Sequence, residues 1–166
     1  MQTFATPAPI IAILGIPAGR IQFIAADRDS TTVEIRPANP SKGRDVKLAG
    51  QTTAAYGDGI LQITSTAGNR GLGSSGAVEV IVQLPTGSRV AAKAASAQFT
   101  AAGQLGVTTV LVTHEMHVVG GAALAGTTLT IDAGAFALID GEDDEIVVVC
   151  VRVERGHLRA RRARRP

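Results

Sequence analysis

The stretch that decides the fold is AVEVIVQLPTGSRV, residues 77–90. In its first half, valine and leucine alternate with residues such as Glu79 and Gln83, and this period-two alternation predicts a strand with one buried face. Pro85-Thr86-Gly87 then predicts a turn, because proline presets φ for the first central position of a type I turn and glycine is favoured at its last position. We therefore expect the chain to fold back into a new strand at Arg89.

Two further segments repeat this order of aliphatic residue, short turn closed by glycine, and new strand. One is Ile16-Pro17-Ala18-Gly19, which leads into Phe23. The other is Ile131-Asp132-Ala133-Gly134, which leads into Phe136. Because the spacings between the three segments are unequal, the sequence predicts no array with a fixed period, but it does indicate a looser duplication of strand-turn-strand units.

The rest of the chain also has β patterns. Tyr56-Gly57-Asp58-Gly59 predicts a turn, and residues 45–53 are polar, with at most a short strand around Val46 and Leu48. Further strands are expected at residues 9–16, 31–35, 60–65, 91–97, 107–112, 116–119, 127–131, 135–139 and 145–154. The predicted fold is all-β, with a layered β-sheet that continues into a β-solenoid-like or alternatively a β-sandwich-like stack, and with no substantial helix.

Composition agrees with a thin β-structure and bounds the domain organisation. Hydrophobic residues make up 45% of the 166 residues, but aromatic residues make up only 3% and there are 19 glycines. We therefore expect a core of Val, Ile, Leu and Ala in a single domain, residues 1–154, followed by a disordered basic tail, residues 155–166. Cys150 is the only cysteine and lies in an apolar run, so we predict a buried free thiol and no disulfide.

Targeting signals are not predicted. Residues 9–16 are apolar, but no Lys or Arg precedes them and Pro and Gly interrupt them, so they read as a strand and not as a signal peptide. No window reaches the ~20 apolar residues of a membrane-spanning helix. A soluble cytoplasmic protein is the default expectation.

Four phrases carry a resemblance to a known family: IPAGRIQFIAADR (16–28), TTVEIRPANPSKGRDVK (31–47), AYGDG (55–59) and SGAVEVIVQLPTGSRVAAKAASA (75–97). Through them, residues 16–106 resemble the N-terminal part of the putative-adhesin family of bacterial β-strand-repeat proteins, as found in actinobacteria, whose function is unknown. The resemblance implies a β-solenoid or layered β-fold and no enzyme activity, and the family label allows a location at the cell surface.

The chain departs from the family pattern after Gly106. Family members resemble one another in continuing with short Gly and Asp turns between brief strands, whereas residues 107–126 here read VTTVLVTHEMHVVGGAALAG. Residues 107–154 are therefore either a divergent C-terminal cap or the product of a shifted reading frame.

Two motifs resemble ligand-binding sites, but the secondary structure predicted around them does not fit such sites. GLGSSG at residues 71–76 matches the dinucleotide-binding pattern, yet that pattern joins a strand to a helix and a strand is predicted to follow here, so we predict a hairpin loop. His114 and His117 could ligate zinc. Histidines three residues apart lie on opposite faces of a strand, so we predict surface or strand-end histidines instead of a metal site.

The acidic stretch DGEDDE, residues 140–145, is a further candidate. Oxygen-rich loops bind Ca²⁺, although the spacing of a helix-loop-helix calcium site is missing here. An Asp-Gly hairpin tip explains the stretch without an ion, so no metal and no cofactor are expected. If a metal does bind, the candidate ligands are Asp140, Glu142, Asp143 and Asp144.

Residues 155–166 are strongly basic, with six arginines, although the formal charge of the whole chain is only +2. Such a tail could bind nucleic acid phosphates with salt-dependent affinity. The chain has few aromatic rings on which bases could stack, and a disordered solubilising tail explains the composition equally well. The candidate nucleic-acid contacts are Arg159, Arg161, Arg162, Arg164 and Arg165.

No catalytic motif is recognisable, so no enzyme activity is predicted. We expect a non-enzymatic, adhesin-like interaction or scaffold module that binds a protein partner or self-associates, because open-ended β-stacks expose backbone edges. Arg70 and Asp58, in predicted loops, are expected to contribute to partner capture. The alternatives are a nucleic-acid-associated protein that acts through its tail and a calcium- or carbohydrate-binding β-module that uses residues 140–145.

Overall fold

The computed structural model describes residues 1–66, 76–119, 128–131, 136–140, 153–154 and 157–158. In these ranges the chain is mostly β-strand, with one short helix, α1 (Gly43–Gly50). The strands are β1 (Gln2–Ala5), β2 (Ile11–Ala26), β3 (Ser30–Pro37), β4 (Thr52–Gly57), β5 (Ile60–Ser65), β6 (Val78–Pro85), β7 (Arg89–Ala102), β8 (Thr108–Val119), β9 (Thr128–Ile131), β10 (Phe136–Asp140), β11 (Val153–Glu154) and β12 (His157–Leu158). The all-β prediction is confirmed.

Among the described residues, β1 to β10 form one mixed sheet, and β11 pairs separately with β12. Long parallel pairs make its centre: β2 pairs with β7, and β7 pairs with β8. On the other side of β2, two short strands share its length, because β5 pairs with residues 11–15 and β6 pairs with residues 19–26. In the same way, β9 and β10 both pair with β8.

The long strand β2 is bent. Its 16 residues would span about 50 Å if the strand were straight. Pro85 pairs with Ala26, however, and Arg89 pairs with Ile11, and the three residues that connect Pro85 to Arg89 reach no farther than about 14 Å. Since neighbouring strands are ~5 Å apart, the two ends of β2 lie within about 25 Å of each other.

The bend falls between residues 15 and 19, where β5 ends its pairing with β2 and β6 begins. Pro17 has no partner in the ladder between β2 and β7, as expected for a residue without an amide hydrogen. The prediction of a chain-reversing turn at residues 16–19 is therefore wrong. The chain bends there but continues as one strand, because both flanking halves find parallel partners.

Three strands cover the edge that β5 and β6 would otherwise expose. β3 pairs antiparallel with β6, β1 pairs antiparallel with β3, and β4 pairs antiparallel with β5. An uncovered edge offers unpaired amide and carbonyl groups to other chains. On this side of the parallel centre, β1 and β4 are therefore the edge strands among the described residues.

The core lies on the inner face of the sheet and is aliphatic, as composition predicted. Alternate residues of β6 are buried, which confirms the period-two reading of that strand: Val78, Val80, Val82 and Leu84. Phe23 of β2 and Phe99 of β7 are both fully buried, with ring centroids 5.8 Å apart. These two rings are the largest fully buried side chains in a core that is otherwise built of Val, Ile, Leu and Ala.

The prediction of no substantial helix allows for the short helix α1, but the short strand suggested around Val46 and Leu48 is wrong, because these residues lie in α1. On a strand these two residues would share a face, but Leu48 is buried and Val46 is exposed. The buried carboxylate of Asp45 accepts hydrogen bonds from the backbone amides of Asn39, at 3.1 Å, and Ala77, at 3.0 Å. Contacts with distant backbone, which no local pattern reveals, therefore hold the helix in place.

Replacing Asp45 by asparagine is expected to lower the free energy of unfolding by about 1–3 kcal/mol. The nitrogen of the new carboxamide cannot accept a hydrogen bond, so one backbone amide would lose its partner. Denaturant unfolding followed by circular dichroism measures the change. Asp27→Asn, at an exposed position, is the matched control and should change stability by less than about 0.5 kcal/mol; equal effects of the two substitutions would contradict the role of Asp45.

The turn after β6 is present but shifted by one residue. The Ser88 amide donates to the Pro85 carbonyl at 3.2 Å, so the turn spans residues 85–88. Gly87, at its third position, has a φ of +80°, as a type II turn requires. β7 begins at Arg89 as predicted, yet it pairs with β2 and not with β6. The chain therefore crosses from one side of β2 to the other within this turn.

The remaining local predictions agree with the structure where it describes them. Residues 31–35, 60–65 and 91–97 lie within strands, and 107–112 and 116–119 fall almost wholly within the single strand β8. Asp58 and Gly59, with φ of +51° and +76°, form the tight turn between β4 and β5. Residues 67–75 and 132–135 and most of 145–154 lie outside the described residues. Within the part that is described, no helix has the length and apolar character needed to cross a membrane.

Candidate functional site

An open groove lies on the outer face of the sheet, where β6, β2 and β7 run side by side. It has a volume of about 330 Å³, and five polar side chains line it: Arg20, Gln22, Glu79, Gln98 and Thr100. They point outward because the residues between them in each strand are buried in the core and side chains alternate along a strand. The same alternation that builds the core therefore builds the groove.

Strand register places these side chains next to one another. Arg20 of β2 pairs with Glu79 of β6 on one side and with Gln98 of β7 on the other. Gln22 pairs with Thr100 in the next outward row. Adjacent strands are ~4.8 Å apart, so the three strands bring all five residues within about 10 Å across the sheet. Their positions depend on the backbone ladder and not on a loop.

The groove carries one positive and one negative charge that are not engaged with each other. In the described part of the chain, neither Arg20 nor Glu79 forms an ion pair or a side-chain hydrogen bond. Arg36 of β3 pairs with Glu79 in the ladder, but its guanidinium donates to the Glu34 carboxylate at 2.8 and 2.6 Å. Glu34 thus neutralises the Arg36 guanidinium, and the Glu79 carboxylate remains available to a ligand.

The chemistry of the groove is hydrogen bonding in contact with water. A guanidinium only donates and a carboxylate only accepts, whereas carboxamides and a hydroxyl do both. Arg20 is exposed and the other four side chains are half-buried, so solvent reaches the charged groups and weakens their fields. This arrangement can hold a polar molecule, and it lacks the exclusion of water that strengthens electrostatic catalysis.

The sequence-predicted site residues lie elsewhere. Asp140 is the last residue of β10, and the other acidic candidates, Glu142, Asp143 and Asp144, lie outside the described residues. The same holds for Arg70 and Cys150 and for the tail arginines 159, 161, 162, 164 and 165, so these hypotheses stay predictions. Among the described residues, no group of three or more His, Cys, Asp or Glu side chains could hold a metal ion.

The strands also show where the other predicted site residues lie. His114 and His117 lie within β8. Of the GLGSSG motif only Gly76 is described, and the element that follows it is the predicted strand, β6. Asp58 occupies the tight turn between β4 and β5 with positive φ, so a substitution there would test the turn as well as partner capture. None of these residues lines the groove.

Comparisons with known proteins give only distant structural likenesses. No protein-family model matches the chain, and no curated protein sequence matches it. A "putative cell adhesion protein" from Clostridium sporogenes is 12% identical, with a TM-score of 0.33, over 78% of this chain and 71% of that chain. A "putative lipid binding protein" from Parabacteroides distasonis is 9% identical, with a TM-score of 0.32, over 84% of this chain and 66% of that chain, just under two thirds. The family resemblance of residues 16–106 therefore stays a prediction.

Proposed function

We propose that this chain is a non-enzymatic interaction or scaffold module that binds its partner through the groove on its outer face. The observation that carries the proposal is the register-fixed set of polar side chains, in which Arg20 and Glu79 have no partner among the described residues. The backbone ladder fixes the spacing of these side chains before a partner binds, so binding costs the ordering of the side chains but no rearrangement of the backbone.

A solenoid-like stack is the architecture that the pairing of strands supports best. β7 and β8 are parallel from Val90 and Thr108 onward, and only residues 103–107 connect them. Such a short link requires β7 to bend back toward its own start before β8 begins, which favours a coil. Hydrogen bonds also join successive turns, since the Gly106 amide donates to the Ser88 carbonyl at 2.8 Å. A sandwich-like stack is supported less, because sandwiches are built of antiparallel sheets.

Affinity capture with matched variants tests the proposed function. The purified chain is immobilised and offered proteins, polysaccharides and nucleic acids in separate experiments. Arg20→Ala/Gln98→Ala should reduce retention of the bound class about tenfold or more, because two hydrogen-bonding groups are lost. Gln62→Ala, at an exposed position of β5 that does not line the groove, is the control and should bind like the unmodified chain.

The outcomes separate the possibilities. Equal retention by the unmodified chain, the double variant and the Gln62→Ala control would place binding outside the groove. If the unmodified chain retained nothing, its role as an interaction module would be overturned. Circular dichroism of each variant checks that the fold is intact. A measurable turnover of any retained molecule, abolished by the same double substitution, would contradict the non-enzymatic part of the proposal.

A further inference from the structure

We infer that the groove binds a neutral saccharide. The inference rests on the proposed function and assigns it a class of ligand at residues that the sequence did not single out. It is carried by the charge balance of the groove, by the donors and acceptors of its side chains, and by the position of its strands within the sheet.

Charge balance is the first step. The cation of Arg20 and the anion of Glu79 pair in register on adjacent strands, so the groove has no net charge to attract a phosphate or a metal ion. On the β6 side of the groove, the next charged residues, Arg36 and Glu34, neutralise each other through hydrogen bonds of 2.8 and 2.6 Å. On the β7 side, Glu115 and His117 of β8, one acidic and one basic residue, pair with Ser96 and Gln98. A ligand without net charge therefore suits this surface best, because a charged ligand would meet one like charge for each opposite one.

The donors and acceptors of the groove match hydroxyl groups. Each hydroxyl of a sugar both donates and accepts, and neighbouring hydroxyls can bridge two atoms of one planar group. Arg20 offers a planar donor, Glu79 a planar acceptor, and Gln22 and Gln98 offer planar groups that do both. The hydroxyls of a sugar ring can therefore donate to Glu79, accept from Arg20, and do either with Gln22, Gln98 and Thr100.

The position of the groove disfavours a peptide. Extended peptides bind by adding a strand to a free sheet edge, where backbone groups give affinity. β2 is paired on both sides, with β6 and β7, and these two strands pair in turn with β3 and β8. Ile21, the apolar residue of the lining, is 1% exposed and provides no pocket for an apolar side chain.

The size and depth of the groove limit the ligand to a mono- or disaccharide of low affinity. Its volume, about 330 Å³, is at the lower end of the ~300–1,000 Å³ of small-molecule sites. The rings of Phe23 and Phe99 are buried on the inner face of the sheet, so they cannot stack on a sugar. Binding thus depends on solvent-accessible hydrogen bonds, and we expect dissociation constants of about 1 mM.

Nuclear magnetic resonance of the full ¹⁵N-labelled chain tests the inference, with maltose, cellobiose and diacetylchitobiose as probes. At least one probe should shift the side-chain amide signals of Gln22 and Gln98 and leave those of Gln62 unchanged. Glu79→Gln and Arg20→Gln should each weaken binding about tenfold, whereas Gln62→Ala should not. Glucuronate and glucosamine should bind no more tightly than glucose.

Two results would overturn the inference and leave the proposed function standing. One is a groove that responds to an uncharged tripeptide such as N-acetyl-Ala-Gln-Ser-amide but to no saccharide at about 50 mM. The other is tighter binding of a charged sugar than of its neutral counterpart. If the groove signals respond to none of these probes, and the Arg20→Ala/Gln98→Ala variant also captures partners like the unmodified chain, both the inference and the proposed function fail.

Discussion

Replacing Gly19 by alanine is expected to lower the free energy of unfolding by at least about 3 kcal/mol. Gly19 has a φ of +139°, which a side chain makes unfavourable, and it lies where β6 begins to pair with β2. A Cβ at this position would overlap the backbone carbonyl oxygen of Val78. That oxygen belongs to the strand ladder and cannot move without breaking the pairing of β2 with β6.

Gly15→Ala is the matched control for this prediction. Gly15 lies in the same strand, but a Cβ there would meet nothing within 4 Å. Denaturant unfolding should place Gly15→Ala within about 1 kcal/mol of the unmodified chain. Equal stability of the two variants would contradict the close approach of β2 to β6 at Gly19. Because Gly19 directly precedes Arg20, we also expect Gly19→Ala to disturb the groove.

Phe99→Ala is the second substitution with a large expected effect, a loss of about 3–5 kcal/mol in the free energy of unfolding. Phe99 is fully buried and its ring lies 5.8 Å from that of Phe23. The rest of the buried core is Val, Ile, Leu and Ala held on paired strands, so neighbouring side chains can fill the cavity only in part. Since Phe99 lies between Gln98 and Thr100, its packing also positions two side chains of the groove.

Thermal and denaturant unfolding measure this effect, with two comparisons. Phe99→Leu retains most of the volume and should cost less than about 1.5 kcal/mol. A double-mutant cycle with Phe23→Ala should give a coupling of about 0.5–1.5 kcal/mol beyond additivity, as expected for two rings in contact. Additive effects would show that the two rings do not support each other.

Most strands in the described part of the chain were predictable because their pattern is local, although β1 and β4 were not expected. From Val78 to Leu84 in β6, burial alternates along the strand as the sequence alone predicts, and only the last residue, Pro85, breaks the alternation. The tight turn at Asp58 and Gly59 is equally local, since aspartate and glycine tolerate positive φ. The turn after Leu84 was predicted one residue early, because proline fits both positions and only the hydrogen bond from Ser88 to Pro85 decides between them.

The helix α1 was not predictable in this way. It is short, eight residues, and isolated helices of that length are unstable in water. Its stability depends on Asp45, whose carboxylate accepts hydrogen bonds from the amides of Asn39 and Ala77. Ala77 is 32 residues away in sequence. A sequence window short enough to show a local pattern does not contain both Asp45 and Ala77. Such a window therefore shows only a polar segment.

The sequence by itself determined the class of fold and which residues of β6 face the core, because alternating apolar residues bury one face of a strand whatever its neighbours are. Only the tertiary structure decided that β2 lies between β6 and β7 and bends at residues 15–19. The groove depends on this strand order, since Arg20 comes from β2, which is far in sequence from β6 and β7, the strands that carry Glu79 and Gln98. Pairing between strands is set by the geometry of the whole backbone, and alternation within one strand carries no information about it.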